Sequence, residues 1–462
     1  MDHRSVSFWL ETAADDLTPR PSLDGSVDVD VAILGAGLTG LWTAFYLRRR
    51  DPSLRIAIVE REIAGFGASG RNGSWCPPDL NISMTRLAKL HGMDMARAMQ
   101  QATYDAVDEV GRATAEAGID AGFHKGGELL VARGPHGIPS LEEAFEEYAR
   151  FGFGDRYRLL DAAEVAERVR IAGAVRGLAS ESAGVLHPGR LVRGLARYVE
   201  REGATIYEGT PVTSFRPKDA SGRAALVTAR GEVRAPVIVL AGEAYLSELP
   251  RLHRQLVPLY SLIVLTEPVT ADQWAEIGWA NREVVASTRL SVDYLARTED
   301  GRILFGGRGA PYRFGSPIRP EYDRHGPTHE KLKAFVREWF PVLRDVHFTH
   351  EWGGPLGMPR DWHPTMAFDE ATGIATARGY VGHGVSTTNL GGRVLTDLIS
   401  GTESALTELP VANHRSPNWE LEPFRWIGVR YAQWAIGGVD AKAERTGTPP
   451  NGKSLAERIA SH

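Results

Sequence analysis

Residues 28–60 read DVDVAILGAGLTGLWTAFYLRRRDPSLRIAIVE, and this stretch decides the fold. Its first part, residues 29–34, is rich in apolar and β-branched residues apart from Asp30, which is typical of a buried parallel strand. The glycines that follow fit the pattern G-x-G-x-x-G, and the apolar residues after them predict a helix over residues 38–50. The segment RIAIVE then predicts a second strand that ends in Glu60. The stretch therefore indicates a strand–helix–strand unit.

The three glycines and the acid have separate roles in such a unit. Gly35 allows the tight turn, Gly37 lets a pyrophosphate approach the backbone, and Gly40 lets the helix pack closely on the strand. The start of the helix directs free N–H groups and the positive end of its dipole at the phosphates. Glu60 lies about 20 residues after Gly40, where a carboxylate accepts hydrogen bonds from ribose hydroxyls and repels the 2′-phosphate of NADP. The stretch predicts dinucleotide binding; the alternative is a glycine-rich turn in an unrelated α/β fold.

Length and composition limit the other possibilities. The chain has 462 residues, which predicts two or three domains. A net charge of −5 argues against a nucleic-acid surface, and the single cysteine, Cys76, excludes an internal disulfide and a thiolate zinc cluster. Residues 31–47 carry no charge and approach membrane-spanning length, but the glycines and the expected strand and helix explain this run without a membrane. We expect no membrane span, no secretory signal and a cytoplasmic location.

Three further segments favour FAD over NAD as the dinucleotide. The loop REIAGFGASGRNGSWC at residues 61–76 exposes its backbone directly after the ribose-binding acid, which suits a cofactor that extends past its pyrophosphate. APVIVLAGEAYL at residues 235–246 predicts another buried strand. GYVGHGVSTTNLGGRVLTDLISG at residues 379–401 predicts a short strand that reaches Gly382, then a helix that begins near Ser386 or Thr387. A second helix start is superfluous for NAD but useful for FAD, because reduced flavin carries negative charge near N1.

These motifs also carry a resemblance to a known family. The glycine motif, GFGASGRNGSW, VIVLAGEAY and GHGVSTTNLGGR together resemble the FAD-dependent amine oxidoreductases of the D-amino acid oxidase, glycine oxidase and sarcosine oxidase superfamily. GRILFGGR at residues 301–308 resembles the family's substrate-sheet strand, and DWHP at residues 361–364 stands in the place of its D-x-x-P turn. The segment FGASGRNG looks most like the γ-glutamylputrescine oxidase-like branch. The resemblance covers about residues 25–405.

The resemblance implies an α/β fold, α+β overall, in which a Rossmann-like FAD-binding domain is interleaved with an antiparallel-sheet substrate domain. The FAD-binding domain is expected to comprise residues 1–90, 160–255 and 340–412. The substrate domain is expected to comprise residues 91–159 and 256–339, followed by a C-terminal helical tail at residues 413–462. For the tail, with its tryptophans, packing on the core and an oligomer interface both remain open.

The motifs and the resemblance together give a set of candidate site residues. The implied cofactor is FAD held without a covalent bond, because the last flavin segment contains no cysteine; Cys76 is expected to be an inert buried thiol. The histidines and acid near residues 347–363 lack the spacing of a metal motif, so we predict no metal site. The candidate cofactor-binding residues are Gly35, Gly37, Leu38, Thr39, Gly40, Glu60, Arg61, Ala68, Ser69, Arg71, Asn72, Gly73, Val212, Ala241, Gly242, Gly382, His383, Gly384, Val385 and Thr387.

Four residues are candidates for the substrate side. His383 is expected along the flavin ring, though its side chain need not be catalytic and a structural histidine is the alternative. Tyr260, Tyr294 and Arg308 lie on the predicted substrate-sheet strands, where core or surface roles are the alternatives. Arg308 could pair with an anionic group of the substrate. For the loop residues Arg71 and Asn72, stabilisation of the turn is the alternative to cofactor contact.

The resemblance implies oxidation of a C–N bond in a small-molecule amine or amino acid. Hydride transfer to flavin N5 would give an imine that hydrolyses, with O2 reduced to H2O2, and a pocket that disfavours the ammonium form would replace a dedicated base. No lysine occurs between Lys218 and Lys331, so a dehydrogenase with another electron acceptor stays open. A non-catalytic dinucleotide-binding module and an NAD-dependent dehydrogenase are the remaining alternatives.

Overall fold

A computed structural model describes residues 2–450 and 452–460, which form twenty β-strands and twelve α-helices. The strands are β1 Val27–Asp28, β2 Val31–Leu34, β3 Ile56–Val59, β4 Trp75–Cys76, β5 Glu128–Arg133, β6 Tyr157–Asp161, β7 Ala174–Ser180, β8 Gly184–Val185, β9 Thr205–Tyr207, β10 Val212–Arg216, β11 Ala224–Thr228, β12 Gly231–Ala235, β13 Val237–Leu240, β14 Val257–Thr266, β15 Val284–Ser287, β16 Asp293–Arg297, β17 Ile303–Arg308, β18 Phe348–Met358, β19 Thr365–Asp369 and β20 Ile374–Arg378. The helices are α1 Phe8–Glu11, α2 Leu38–Arg50, α3 Met84–His91, α4 Met93–Glu116, α5 Ile138–Arg150, α6 Ala162–Arg168, α7 Pro188–Arg201, α8 Ala271–Ile277, α9 Gly326–Trp339, α10 Gly384–Ile399, α11 Phe424–Thr446 and α12 Leu455–Ala460.

The opening strand–helix–strand unit lies at the centre of a six-stranded sheet. Its strand order is β19-β20-β13-β2-β3-β9, and every pair from β20 to β9 is parallel. Val31 of β2 is paired with Ile56 of β3 on one side and with Val237 of β13 on the other. Because parallel strands end at the same edge, the segments after β2, β3 and β13 meet there, where open α/β sheets bind ligands.

Helix α2 covers this sheet as the sequence predicts. It spans Leu38–Arg50, the predicted bounds, and buries Trp42 and Phe45 completely. Burial of one such aromatic side chain stabilises the fold by roughly 1.5–3 kcal/mol. Helix α10 packs on α2 so closely that a Cβ atom on Gly392 would lie 2.8 Å from the Trp42 backbone. The two helices that follow the two glycine turns therefore share one core.

An eight-stranded sheet forms the other large layer. Its order is β18-β14-β17-β16-β15-β5-β7-β6, with antiparallel pairing throughout except between β15 and β5. The longest pairing joins β14 and β18, from Val257 opposite Met358 to Thr266 opposite Phe348. Helix α9 packs on this sheet through Leu332, Val336 and Trp339. The predicted combination of a Rossmann-like sheet and a largely antiparallel sheet is confirmed.

The predicted division of the chain into two domains stays a prediction, but the large sheet crosses its boundaries. Strands β7 and β18 belong to the eight-stranded sheet, although residues 160–255 and 340–412 are assigned by sequence to the cofactor domain. Pairing partners far apart in the chain decide which sheet a short strand joins, and its own residues do not specify them. The predicted tail contains α11, which buries Val429, Ala435 and Val439 against the core and leaves its other side exposed.

The start of α10 corrects the sequence prediction. The helix begins at Gly384, with His383 as N-cap, rather than near Ser386 or Thr387, and the strand before it ends at Arg378 instead of reaching Gly382. The hydroxyl of Ser386 donates to the Pro77 oxygen at 2.5 Å and that of Thr387 donates to the His383 oxygen at 2.7 Å, so neither caps the helix. No helix in the described part of the chain is long and apolar enough to cross a membrane. The cytoplasmic location stays a prediction.

Candidate cofactor and substrate site

A deep cleft opens where β2, β3 and β13 end. It encloses about 1290 Å3, including the part open to solvent, and reaches from Glu60 after β3 to Gly382 after β20. Its walls are the first glycine turn, the loop at residues 61–76, the segment after β13 and the turn before α10. The predicted cofactor residues that line it are Gly35, Gly37, Leu38, Thr39, Glu60, Arg61, Ala68, Ser69, Asn72, Val212, Ala241, Gly242, Gly382, Gly384 and Val385.

The first glycine turn is shaped by close approach of the backbone. Gly35 has φ +101°, and a Cβ atom there would lie 2.8 Å from the Ala241 oxygen. A Cβ atom on Gly40 would lie 2.1 Å from the Gly35 oxygen, which accounts for its absence from the cleft wall: its place is the packing of α2 on the turn. The N–H of Leu38 donates to the Ser69 hydroxyl at 2.9 Å, so the loop closes on the first turn of the helix.

Glu60 holds the turn from the other side. Its carboxylate accepts hydrogen bonds from the backbone N–H groups of Ala36 at 2.9 Å and Glu62 at 3.0 Å. Burial raises the pKa of Glu60, and these two donors oppose that shift. The carboxylate lines the cleft where the sequence predicts ribose hydroxyls. It therefore also fixes the backbone of the turn, a role that the motif alone does not indicate.

Four other predicted cofactor residues lie outside the cleft wall. Arg71 is 4% exposed; its Nε donates to the Phe66 oxygen at 2.7 Å and its Nη1 pairs with Asp323, as expected for the structural alternative. The other three contact neighbouring groups of the protein. Gly73 lies against the Tyr294 ring, and the Thr387 hydroxyl donates to the backbone oxygen of His383, which is part of the second turn. The cofactor-binding role of these four residues, Arg71 included, stays a prediction.

Tyr294 on β16 connects the eight-stranded sheet, here called the substrate sheet, to the loop at residues 61–76. Its hydroxyl lies 2.9 Å from the Ser261 hydroxyl, and burial raises its pKa to about 12. A Cβ atom on Gly73 would lie 2.3 Å from the Tyr294 ring, so the loop backbone lies directly against this side chain. Tyr260 lies elsewhere: its hydroxyl accepts from the Arg319 N–H at 3.4 Å and its ring contacts Tyr322 edge-on.

Arg308 and His383 meet at the turn before α10. Arg308 Nη2 donates to the Val381 oxygen at 3.1 Å, and burial lowers its pKa. Burial and the neighbouring Arg308 charge lower the pKa of His383 to about 4, so the imidazole is neutral at pH 7. His383 Nδ1 lies 4.0 Å from the Asp79 carboxylate. Burial also raises the pKa of Asp79 to about 6.

Comparison with known proteins adds an independent finding. The family described as FAD dependent oxidoreductase matches residues 30–398. The chain belongs to this family. Among curated relatives of this FAD-dependent oxidoreductase, gamma-glutamylputrescine oxidoreductase of Escherichia coli (strain K12) is 28% identical over 431 residues, covering 92% of this chain and 97% of the relative. Glycine oxidase of Pseudomonas aeruginosa is 27% identical over 403 residues, covering 83% and 98%.

Solved structures agree on the fold. Glycine oxidase from Geobacillus kaustophilus superposes with a TM-score of 0.69 at 22% sequence identity, covering 84% of this chain and 99% of that one. L-proline dehydrogenase from P. horikoshii superposes with a TM-score of 0.66 at 19% identity, covering 84% and 96%. Both similarities concern the fold and extend over most of this FAD-dependent oxidoreductase.

The residues present fit FAD, the cofactor of the family. The first glycine turn leaves a cradle without side chains, and the cleft continues past it to the second turn at Gly382. A ligand that ended at its first ribose and pyrophosphate would leave the part of the cleft near Gly382 unfilled. Cys76 is fully buried and burial raises its pKa, so the thiol is suited to packing rather than to covalent attachment.

Two residues that sequence reasoning missed complete the site of the FAD-dependent oxidoreductase. The Tyr380 hydroxyl lies 2.9 Å from the Thr39 hydroxyl and ties the second turn to the first turn of α2. Glu243 lines the cleft directly after Gly242 and accepts a hydrogen bond from the Gly379 N–H at 2.9 Å. For Glu243 a signal existed in the sequence, since an acid follows a buried strand at the edge where cofactors bind; for Tyr380 none did.

Proposed function

We propose that this FAD-dependent oxidoreductase oxidises a C–N bond of a small amine or amino acid. The observation that supports this most is the meeting of the substrate sheet with the second glycine turn: Arg308 of β17 bonds to Val381, beside Gly382 on the cleft wall. A substrate on this sheet would lie against the end of the cleft farthest from Glu60. The substrates named in the two relatives, gamma-glutamylputrescine and glycine, both contain such a bond.

The chain's own residues prepare the substrate. Tyr294, Arg308 and neutral His383 are partly buried near the second glycine turn, where desolvation disfavours charge, as their shifted pKa values indicate. An amine that binds there releases its proton more readily than in water, because desolvation and the Arg308 guanidinium both disfavour an ammonium group. The neutral nitrogen can then supply its lone pair to the breaking bond, so a dedicated base is not needed.

The two glycine turns would hold FAD, which would supply two-electron acceptor chemistry at N5 for a hydride from the carbon attached to nitrogen. The proposed product is an imine, which water hydrolyses to a carbonyl compound and an amine. The proposed final acceptor is O2, reduced to H2O2. The contribution of Tyr294, Arg308 and His383 is to orient the substrate and to exclude water.

A dehydrogenase that uses another acceptor is a second candidate, and one observation favours it. Among the residues that the structure describes, no lysine lines the cleft, and the long sequence interval without lysine covers β14, β15, β16 and β17. A cation beside the cofactor promotes its reaction with O2 by stabilising developing negative charge. Under the oxidase proposal, Arg308 beside the second turn would supply this positive charge.

The test is anaerobic reduction of the purified flavoprotein. A panel of primary amines, N-methyl amines, amino acids and polyamine conjugates is added without oxygen, and loss of the visible flavin absorbance is followed. At least one amine is expected to bleach it; failure of all classes in a protein that carries FAD would overturn the proposal. Fast return of colour in air, with peroxide formed, identifies an oxidase, whereas slow return with fast transfer to a dye identifies a dehydrogenase.

A further inference from the structure

Glu243 has an unusual backbone for its position. It follows β13 and Gly242 on the wall of the cleft and has φ +46°, in the left-handed region that favours glycine. A side chain in this conformation costs of order 1–3 kcal/mol and persists only where the surroundings hold it. Glu243 therefore adopts a strained backbone conformation that its surroundings must stabilise.

The contacts of the carboxyl group show what holds it. Glu243 Oε2 accepts a hydrogen bond from the Gly379 N–H at 2.9 Å, and the backbone N–H groups of Tyr380 and Gly357 also face the carboxyl group. A Cβ atom on Gly357 would lie 2.8 Å from Glu243 Oε1, so any other residue there would push the carboxyl group away. One backbone hydrogen bond and two further backbone N–H groups thus surround one acidic side chain.

These donors come from two different parts of the fold. Gly357 belongs to β18 in the eight-stranded sheet, whereas Gly379 and Tyr380 begin the turn after β20 in the six-stranded sheet. The side chain itself extends from the end of β13. The Tyr380 hydroxyl continues the connection to Thr39 on α2 at 2.9 Å. One carboxyl group therefore links the substrate sheet to the turn that lines the far end of the cleft.

We propose that Glu243 is a positioning residue, whose carboxyl group fixes the turn at residues 379–384, and with it the FAD, against strand β18 of the substrate sheet. A displaced turn would change how tightly the cofactor is held and how the reacting ends of cofactor and substrate face each other. Geometry of this kind has to be kept within a fraction of an ångström for efficient transfer. This role does not require Glu243 to contact the substrate.

Because Glu243 can ionise, its role should make the affinity for FAD depend on pH, which a residue that only packs would not do. Burial raises the pKa of Glu243 to about 7, although the three backbone donors and the Arg378 charge oppose the shift. Arg378 lies on β20, and burial lowers its pKa. Bound FAD brings two phosphate charges into the same cleft, so its binding favours the protonated form of Glu243. Affinity for FAD should therefore fall as the pH rises through 7, and a residue that cannot ionise should reduce that dependence.

The experiment uses the full chain stripped of flavin and titrated with FAD, with flavin fluorescence as the readout. In Glu243→Ala we expect the Kd for FAD to rise about tenfold or more, because buried backbone donors lose their acceptor. In Glu243→Gln, which keeps the shape and one acceptor oxygen, we expect a smaller rise and a Kd that changes less than the wild-type Kd between pH 6 and pH 9. Glu232→Gln, on β12 outside the cleft and paired with Arg216, is the matched control and should behave as wild type.

A second readout separates positioning from general loss of structure. The reduction potential of the bound flavin should shift in Glu243→Gln at an unchanged unfolding temperature of the apoprotein, since the turn moves relative to the ring. Should Glu243→Ala fail to fold, the Gln variant alone decides the matter. Wild-type affinity, pH dependence and potential in Glu243→Gln would overturn the proposal. None of these measurements needs an amine, so they stand whether or not the proposed C–N oxidation is correct.

Discussion

The two glycine turns of the cleft use glycine for opposite reasons. In the first turn, a Cβ atom on Gly35 would lie 2.8 Å from the Ala241 oxygen, and one on Gly40 would lie 2.1 Å from the Gly35 oxygen. In the second turn, the nearest atom to a Cβ on Gly384 would be 3.7 Å away, which is ordinary contact. The protein's own packing requires the first pair, whereas the packing around Gly384, at the wall of the cleft, does not exclude a methyl group.

This difference separates fold from function. A glycine pressed against backbone atoms tells how the chain packs, because any side chain there must displace the main chain. Gly384 lies on the cleft wall, and the fold alone would accept a methyl group there, so packing within the protein does not account for this glycine. The first turn should therefore fail by unfolding, and the second by losing its cofactor while the protein stays folded.

Gly40→Ala should have the largest effect. Its Cβ would overlap a backbone oxygen that no side-chain rotation can relieve, so α2 would be pushed off the sheet. We expect a loss of about 3 kcal/mol or more in the free energy of unfolding and no retained FAD. Thermal unfolding and the flavin content of the purified protein check this. A variant with wild-type flavin content and unfolding temperature would show that the packing reason is mistaken.

Gly384→Ala provides the matched contrast in the second turn. The apoprotein should unfold within about 0.5 kcal/mol of wild type, because the added methyl meets only ordinary contacts. The holoprotein should bind FAD more weakly, by about 1–3 kcal/mol, since the methyl occupies space at the cleft wall. Apoprotein denaturation and an FAD titration measure the two numbers separately. Unchanged affinity would mean that this turn lies away from the ring system.

The sequence predicts the first turn better than the second, for a physical reason. Residues 28–60 contain a complete local unit, in which glycine spacing, apolar runs and Glu60 fall within one strand–helix–strand, and α2 has its predicted bounds. The start of α10 depends on distant atoms. Ser386 and Thr387 are residue types that commonly cap helices. The Ser386 hydroxyl instead donates a hydrogen bond to the backbone oxygen of Pro77, which is far away in the chain.

The same contrast holds for the candidate site. Contacts within the motif and its loop were predictable, whereas Arg71 faces Asp323 from a part of the chain about 250 residues away. The Thr39–Tyr380 pair and the contacts of Glu243 likewise join segments whose proximity only the assembled sheets create. The residue type indicates which interactions a side chain can make. The topology of the fold decides which residue it contacts.

Asp361 should show a smaller effect, limited to acid pH. It belongs to the segment behind the second turn, where a Cβ atom on Gly379 would lie 3.1 Å from the Pro359 ring. Burial alone would raise the pKa of Asp361, but hydrogen bonds from His414 and Ser416 outweigh it and lower the pKa to about 2. A depressed acid stabilises the fold above its ordinary pKa and loses this contribution as the pH falls through the folded value.

Asp361→Asn should therefore cost about 1–2 kcal/mol near pH 7, and the difference from wild type should shrink as the pH falls from 5 toward 2. Urea unfolding at several pH values measures it. The control is Asp272→Asn, an exposed acid on α8 outside the cleft wall. A constant difference at every pH would mean that Asp361 acts by shape and not by charge.

Cys76 gives the smallest effect and tests the base of the first turn. The loop that carries Ser69 into the cleft ends at β4, where Cys76 pairs with Gly184 and is fully buried. Burial raises the pKa of the thiol, so both access and thiolate formation should be suppressed. Iodoacetamide at pH 8 should label the native protein at least about tenfold more slowly than the urea-unfolded protein. Because Cys76 is the single cysteine, labelling reports on this strand alone, and equal rates would mean that the loop opens freely and cannot hold Ser69 against α2.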